Sequence, residues 1–409
     1  MPFVSRPTLR SNIRALPGPA WFLYAGTFIN RFGSFVLTFL VLWVKSKGYS
    51  YAEAGIAASS YGIGAIGAAG LGGLLADRLG RRRTIALSMF GSAAAMLALS
   101  QAGSITTILL LAAVTGLAAE LYRPASSALL ADIVPAERRV TAFALYRFAI
   151  NLGFAFGPAT AGFLAHRSFL YLFVGDAVTS FLYGVIALVA LPEGRRSPAA
   201  HERRGEGLRT IFADRALIAF LFASLATSFV YLQMTSGLAL HTHASGLSTS
   251  DFGLLMGLNG VIIICCELPL TSITQRLPAR AVMACGQLLL GIGFALTGLA
   301  HALPALGATV MVWTLGEMVN APVASAYLTG LAPAHLRGRY VGAQSTTWAF
   351  GAVLAPGLGG FLFGIDERLL WLSCLVLGVV AAALIAFGPH RHAAPTDKEE
   401  TLESVLEPG

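Results

Sequence analysis

Along the chain, apolar runs of about 20 residues alternate with short polar interruptions, which is the length an α-helix needs to cross the hydrocarbon of a bilayer. Twelve such runs are predicted. The first six are Trp21–Val44, Ala54–Ala76, Thr84–Gln101, Ile105–Ile133, Thr141–His166 and Phe169–Leu191. The second six are Ala216–Leu240, Asp251–Gln275, Arg280–Ala300, Leu303–Ala332, Arg339–Phe363 and Leu369–Phe387. The one long polar stretch between them, Pro192–Arg215, predicts a solvated linker with a short surface helix over Leu208–Leu217. A polar, disordered tail is expected over His390–Gly409. The run from Trp21 is too long for a signal-peptide core, so it is read as a retained first span. The expected organisation is an all-α polytopic membrane protein: a six-helix bundle over 1–191, a linker over 192–215, a second bundle over 216–387 and a tail over 388–409.

The two halves repeat at a constant offset of 198 residues. Gly48 and Ser50 fall on Gly246 and Ser248, Gly55 on Gly253, Arg78 on Arg276 and Arg82 on Arg280. Further on, Pro124 falls on Pro322, Pro135 on Pro333, Pro158 on Pro356 and Gly162 on Gly360. A parallel repeat joined by a linker predicts two halves that rock about a site near the membrane midplane.

Composition agrees and sets the orientation. Only 12% of residues are charged against 56% hydrophobic, whereas soluble domains carry about 25% charge. Of the 28 Lys and Arg, 21 fall at the ends facing the linker, 4 at the opposite ends (Lys45, Lys47, Arg167, Arg368) and 3 within spans (Arg31, Arg123, Arg147). Basic loops stay in the cytoplasm, which predicts both termini inside and explains the net charge of +8 without nucleic acid. Cys265, Cys266, Cys285 and Cys374 lie in apolar runs with no disulfide or metal spacing, and His241 with His243 makes no metal site.

The densest charge lies between spans two and three: Gly73, Asp77, Arg78, Gly80, Arg81, Arg82 and Arg83 within eleven residues. Gly80 permits a tight turn, and Gly73 permits close helix approach. Asp77 can accept from Arg82 or from amides at a neighbouring helix start, and Asp132 is a partner for the arginines. Span five carries Gly153, Gly157, Pro158 and Gly162. The chain resembles the major facilitator superfamily over essentially its whole length. The loop fills every position of that family's G-x-x-x-D-R-x-G-R-R signature, and span five is similar to its antiporter glycine–proline motif, with Ala161 in place of a second glycine. Arg123 sits where the family has a fourth-helix arginine, in the departing context Leu121-Tyr-Arg-Pro124. The resemblance is to the 12-span drug:proton antiporter group. It implies that Asp77 latches the cytoplasmic ends together when the transporter opens outward, and that the bend at Pro158 favours exchange over leak.

Ionisable groups inside spans are costly and mark function. Arg31 falls about 15 Å into span one, beside Asn30, and Asp176 about 10 Å into span six. Glu120 and Arg123, three apart, share a helix face and can pair. Asp176, Glu120, Glu267 and Glu317 are the proton-coupling candidates, because burial favours a carboxyl that takes up and releases a proton. Pairing with Arg123 gives Glu120 a structural reading as well. Asn30, Arg31, Arg123, Arg147, Asn151, Tyr231, Gln233 and Asn259 are candidates for the substrate cavity. Tyr24, Tyr61, Tyr146, Phe154, Trp313 and Trp348 either line it or face lipid.

No nucleophile–base constellation, nucleotide loop or metal cluster appears, so an enzyme is not expected. The expected function is proton-coupled efflux of small amphipathic compounds by alternating access, from a monomer in the inner or plasma membrane, driven by the proton gradient and without a cofactor. The alternatives are a metabolite, siderophore or lipid carrier of the same fold, or a non-transporting receptor.

Overall fold

The computed structural model describes residues 13–135, 138–193, 213–333 and 336–389. Most of the predicted linker and surface helix and the tail lie outside these residues. The described chain is helical. Span one is α1 (Gly18–Phe32) and α2 (Phe35–Ser46); spans two and three are α3 (Tyr51–Leu79) and α4 (Arg81–Ser100). Span four is α5 (Ile105–Glu120) and α6 (Tyr122–Ile133), followed by α7 (Arg139–Arg167) and α8 (Leu170–Ala190). The second half repeats the order with α9 (Arg215–Leu232), α10 (Gly237–Ala244), α11 (Thr249–Thr274), α12 (Ala279–Thr297), α13 (Leu303–Leu331), α14 (Arg337–Ile365) and α15 (Glu367–Phe387). Among the described residues, eleven helical stretches are long and apolar enough to cross a membrane. The 29-residue α13, which bears Glu317 and Asn320, is not among them.

The 198-residue offset is visible in the backbone. Helix α7 maps onto α14 at both ends, and the reach of α5 and α6 maps onto α13. Ser50 with Glu53 and Ser248 with Asp251 form matching capping boxes, each satisfying helix-start amides. Each box follows a glycine with φ above zero, Gly48 at 91° and Gly246 at 75°, a conformation that needs no Cβ. Packing repeats too: α3 packs on α5 as α11 does on α13, α4 on α8 as α12 on α15, and α1 on α7 as α9 on α14.

Three spans expected to be continuous are broken, each where a side chain receives the freed backbone groups or reaches out from the break. Such groups need a protein partner in hydrocarbon. At Gly33–Ser34, the Val36 amide donates to Asp176 Oδ2 at 3.3 Å. At Leu121, Ser88 Oγ donates to the Ala118 carbonyl at 2.5 Å and accepts from the Tyr122 amide at 3.0 Å. After Leu232, Gln233 Nε2 donates to the Ala355 carbonyl at 2.9 Å, while its Oε1 accepts from Ser236 at 3.0 Å. Helices α7 and α14, by contrast, run unbroken through Pro158 and Pro356.

The halves meet through α3 on α14 and α7 on α11, but only over part of their length. Ser59 Oγ donates to the Val353 carbonyl at 2.5 Å, and Phe39 packs edge-on to Phe252 at 5.1 Å. One apolar core draws on both halves, including Phe39, Trp43, Phe173, Leu240, Phe252 and Trp371. It lies at the end bearing Lys45 and Arg167, here called the distal end. Towards the arginine-rich, or basic, end the cores are separate: one is confined to Leu16–Leu191 and the other to Leu217–Ile385. A Cβ placed on Gly70, Gly73, Gly330, Gly338 or Gly342 would meet nothing within 4 Å. The molecule is therefore closed at the distal end and split by a cleft at the basic end.

Candidate functional site: the cleft between the halves

The cleft's floor is set by small residues. On α7 and α11, Ala155 lies against Gly260, Ala159 against Gly257 and Gly162 against Gly253. This is an antiparallel register, and Ala155 with Gly260 is the close approach nearest the basic end that these glycines mark. On the opposite face of α7, a Cβ on Gly153 would stand 2.7 Å from Arg31 Cβ. The glycine motif of span five thus packs one face on span one, beside its break, and the other on span eight.

At floor level the first half places a buried charge cluster. Arg31, 4% exposed, reaches Glu120 at 3.3 Å, and Arg123 reaches the other Glu120 oxygen at 3.0 Å. The expected Glu120–Arg123 pair forms, with Arg31 as a second cation. Arg31 also lies 5.4 Å over the Tyr122 ring and 5.7 Å over Phe154. Asn30 donates to Ser180 at 3.3 Å. A cavity of about 10 Å³, on the scale of one water molecule, is lined by Asn30, Arg31, Tyr61, Ser92, Glu120 and Asp176. It joins Glu120 and Asp176, the two proton-coupling candidates of the first half.

The second half answers with a different cluster at the same depth. Tyr231 Oη donates to Glu317 Oε1 at 2.9 Å, and Asn259 Nδ2 donates to Glu317 Oε2 and Thr314 Oγ1, both at 3.1 Å. Trp348 packs edge-on to Tyr231 at 5.5 Å. Among the described residues, Glu317 has hydroxyl and amide partners but no cation.

Nearer the mouth stand Arg147 and Glu267. On α7, Arg147, Asn151 and Phe154 fall within about 60° of one another, roughly opposite the exposed Phe156 and Phe163 that face outward. Because Phe154 lies against Arg31, this stripe is the cleft face. Arg147 is eight residues before Ala155 and Glu267 seven after Gly260, placing them about 12 and 10 Å beyond the last contact of their helices. They therefore sit at one level on facing walls. Neither makes an ion pair or hydrogen bond among the described residues.

Two expectations are corrected. Gln233 does not face the cleft: it is fully buried, and both ends of its amide are used in the break after Leu232. Trp313 is likewise buried, stacked on Phe294 at 5.1 Å, and lines nothing open. Tyr122, Ser88 and Ser180 are part of the site's frame without having stood out in the sequence. For Ser180, its place four residues beyond Asp176 on one helix face was the available signal.

The signature loop makes its contacts within the first half and with the start of the linker. Gly80 takes φ 96°, as its turn requires. Arg81 reaches Asp77 at 3.4 Å and the expected partner Asp132 at 3.3 Å. Asp77 pairs with Arg81 rather than Arg82, because Arg82 turns to Glu193 at 2.7 Å, with Arg83 at 3.4 Å from the same oxygen. Glu193, at the start of the polar linker stretch, is a partner that the sequence pattern does not single out. Arg78 is exposed and makes no ion pair among the described residues. Gly73, expected to bring helices together, borders open space, since the cleft holds its neighbour away.

Comparison with known proteins decides the family. The Major Facilitator Superfamily model matches residues 23–271 and 234–408. The chain belongs to this superfamily. It is 26% identical over 404 residues to the uncharacterized MFS-type transporter YqjV of Bacillus subtilis (strain 168), covering 95% of this chain and 98% of that one. It is 28% identical over 283 residues to Multidrug resistance protein 1 of the same organism, covering 68% and 72%. Among solved structures, a point mutant of the nucleoside transporter NupG superposes with a TM-score of 0.78 at 18% identity, over 90% of this chain and 99% of that one. These place a helical, multi-pass transporter fold in a membrane.

Proposed function

We propose that this superfamily member is a proton-coupled exporter of small amphipathic compounds, working by alternating access between two bundles over 1–191 and 216–387. In this reading α13 is the twelfth span, and the basic end faces the cytoplasm, as the distribution of Lys and Arg supports. The structure then has its cleft open to the cytoplasm, the state that loads an export substrate. The relatives named for multidrug resistance support the substrate class.

The observation that most supports proton coupling is the enclosed polar cavity joining Asp176, Glu120 and Arg31. Asp176 accepts from the Val36 amide at the start of α2. Protonating it weakens a charge-assisted bond to that helix end, so proton binding is linked to the geometry of the broken span. Glu120 is held by two arginines and positions Arg31. Asp77 and Gly338 occupy equivalent depths by the antiparallel register of α3 and α14, in which Gly62 meets Ala352. When the basic end closes, Asp77 is placed to accept from the start of α14, and the latch forms.

In proteoliposomes with an imposed pH gradient, efflux of an amphipathic dye is expected to follow the gradient and to fall at least tenfold in Asp176→Asn. Efflux indifferent to the gradient sinks the coupling proposal.

A further inference from the structure

The walls of the cleft carry opposite charge at two depths. At the floor, the first half presents Arg31 and Arg123 around a single carboxylate, Glu120, with Arg123 more than half exposed. Facing it, Glu317 has no cation among the described residues. At the mouth, Arg147 stands on one wall and Glu267 on the other, both unpaired among the described residues and at matching depth by the register of α7 and α11. Asp176 does not cancel this pattern, since it is buried beside the small cavity it shares with Arg31 and is engaged by the Val36 amide. Ionisable side chains within spans face the bundle interior or a water-filled cavity and mark substrate pathways, so charges left unpaired on the walls of a cleft point to a ligand of opposite sign. Between the walls, Phe154, Tyr231 and Trp348 supply apolar and aromatic surface.

Building on the exporter reading, we propose that the substrate is dipolar: an aromatic or aliphatic body with an anionic group held by Arg147 and Arg123 and a cationic group held by Glu267 and Glu317. A simple lipophilic cation leaves the arginine wall unmatched, and a simple anion leaves the glutamate wall unmatched. A ligand with both charges satisfies the two walls at once and draws them together, which is the motion that closes the basic end.

The test uses a biphenyl bearing an aminomethyl group at one end and a carboxylate at the other, its methyl ester (cation only) and its N-acetyl derivative (anion only). Binding is measured by calorimetry on the full chain in lipid nanodiscs. The zwitterion is expected to bind at least tenfold more tightly than either analogue. Arg147→Gln should abolish its advantage over the cation, and Glu267→Gln its advantage over the anion, each leaving the other comparison intact. Equal affinity for zwitterion and cation, or binding of none of the three, overturns the proposal. So does a charge-exchanged Arg147→Glu/Glu267→Arg protein that binds the zwitterion as the parent does, for then the two residues serve each other. Failure here leaves the pH-gradient experiment untouched. Conversely, a zwitterion preference without gradient-driven efflux removes proton coupling and keeps the dipolar site.

Discussion

Glu120 shows how one residue can hold a site together. Among the described residues it is the only carboxylate that either Arg31 or Arg123 pairs with, and Arg31 is buried. Removing one member of a buried ion pair costs about 3–5 kcal/mol, because the other charge is left uncompensated. Glu120→Gln should therefore lower the thermal stability of the purified protein sharply, and Arg31→Met added to it should recover most of the loss. A Glu120→Gln protein as stable as the parent would show that Arg31 finds a substitute partner. The three-residue spacing of Glu120 and Arg123 was readable from sequence, because local geometry on one helix fixes it. The pairing with Arg31 was not, since it joins positions 89 apart through packing set by Gly153.

At the level of helices, the breaks in spans one, four and seven escaped the hydropathy pattern. Apolar runs continue straight across Gly33–Ser34, Leu121 and Gln233. What breaks them is a polar side chain arriving from another span, Asp176 or Ser88, or, at Gln233, the span's own amide reaching α14. Proline pointed elsewhere, to α7 and α14, which stay whole. The repeat was legible because its markers are local: positive-φ glycines, capping boxes and helix ends, all at one offset. Helix α3 offers a test of the moving parts. By register Gly73 lies at the depth of Gly342 on α14, and both border open space here. Gly73→Leu should insert and fold normally, with transport reduced at least tenfold, because the added side chain obstructs closure alone. Undiminished transport with normal surface expression would show that the two helices never approach at this depth.

For the whole molecule, the closed distal end and open basic end can be tested by cross-linking. A Cβ on Gly257 would stand 3.1 Å from Ala159 Cβ, close to the separation of about 3.8 Å found in disulfides. In a background lacking the four native cysteines, Ala159→Cys with Gly257→Cys should cross-link on mild oxidation and stop efflux, and reduction should restore it. An oxidised pair that transports at the parental rate contradicts alternation about this interface. The family, the helical class and the polarised charge of the loops were all visible before the fold. Which end is open was not, because both states use one sequence and differ only in which halves of the same helices touch.

The apolar core that spans both halves has a consequence for temperature. Opening the distal end separates Phe39 from Phe252 and exposes surface that is now dry. Exposure of apolar surface raises heat capacity, so where this exceeds the surface buried as the basic end closes, the balance between the two states is itself curved with temperature. The rate of the full cycle inherits that curvature, and an Arrhenius plot for this transporter bends even where no lipid transition intervenes.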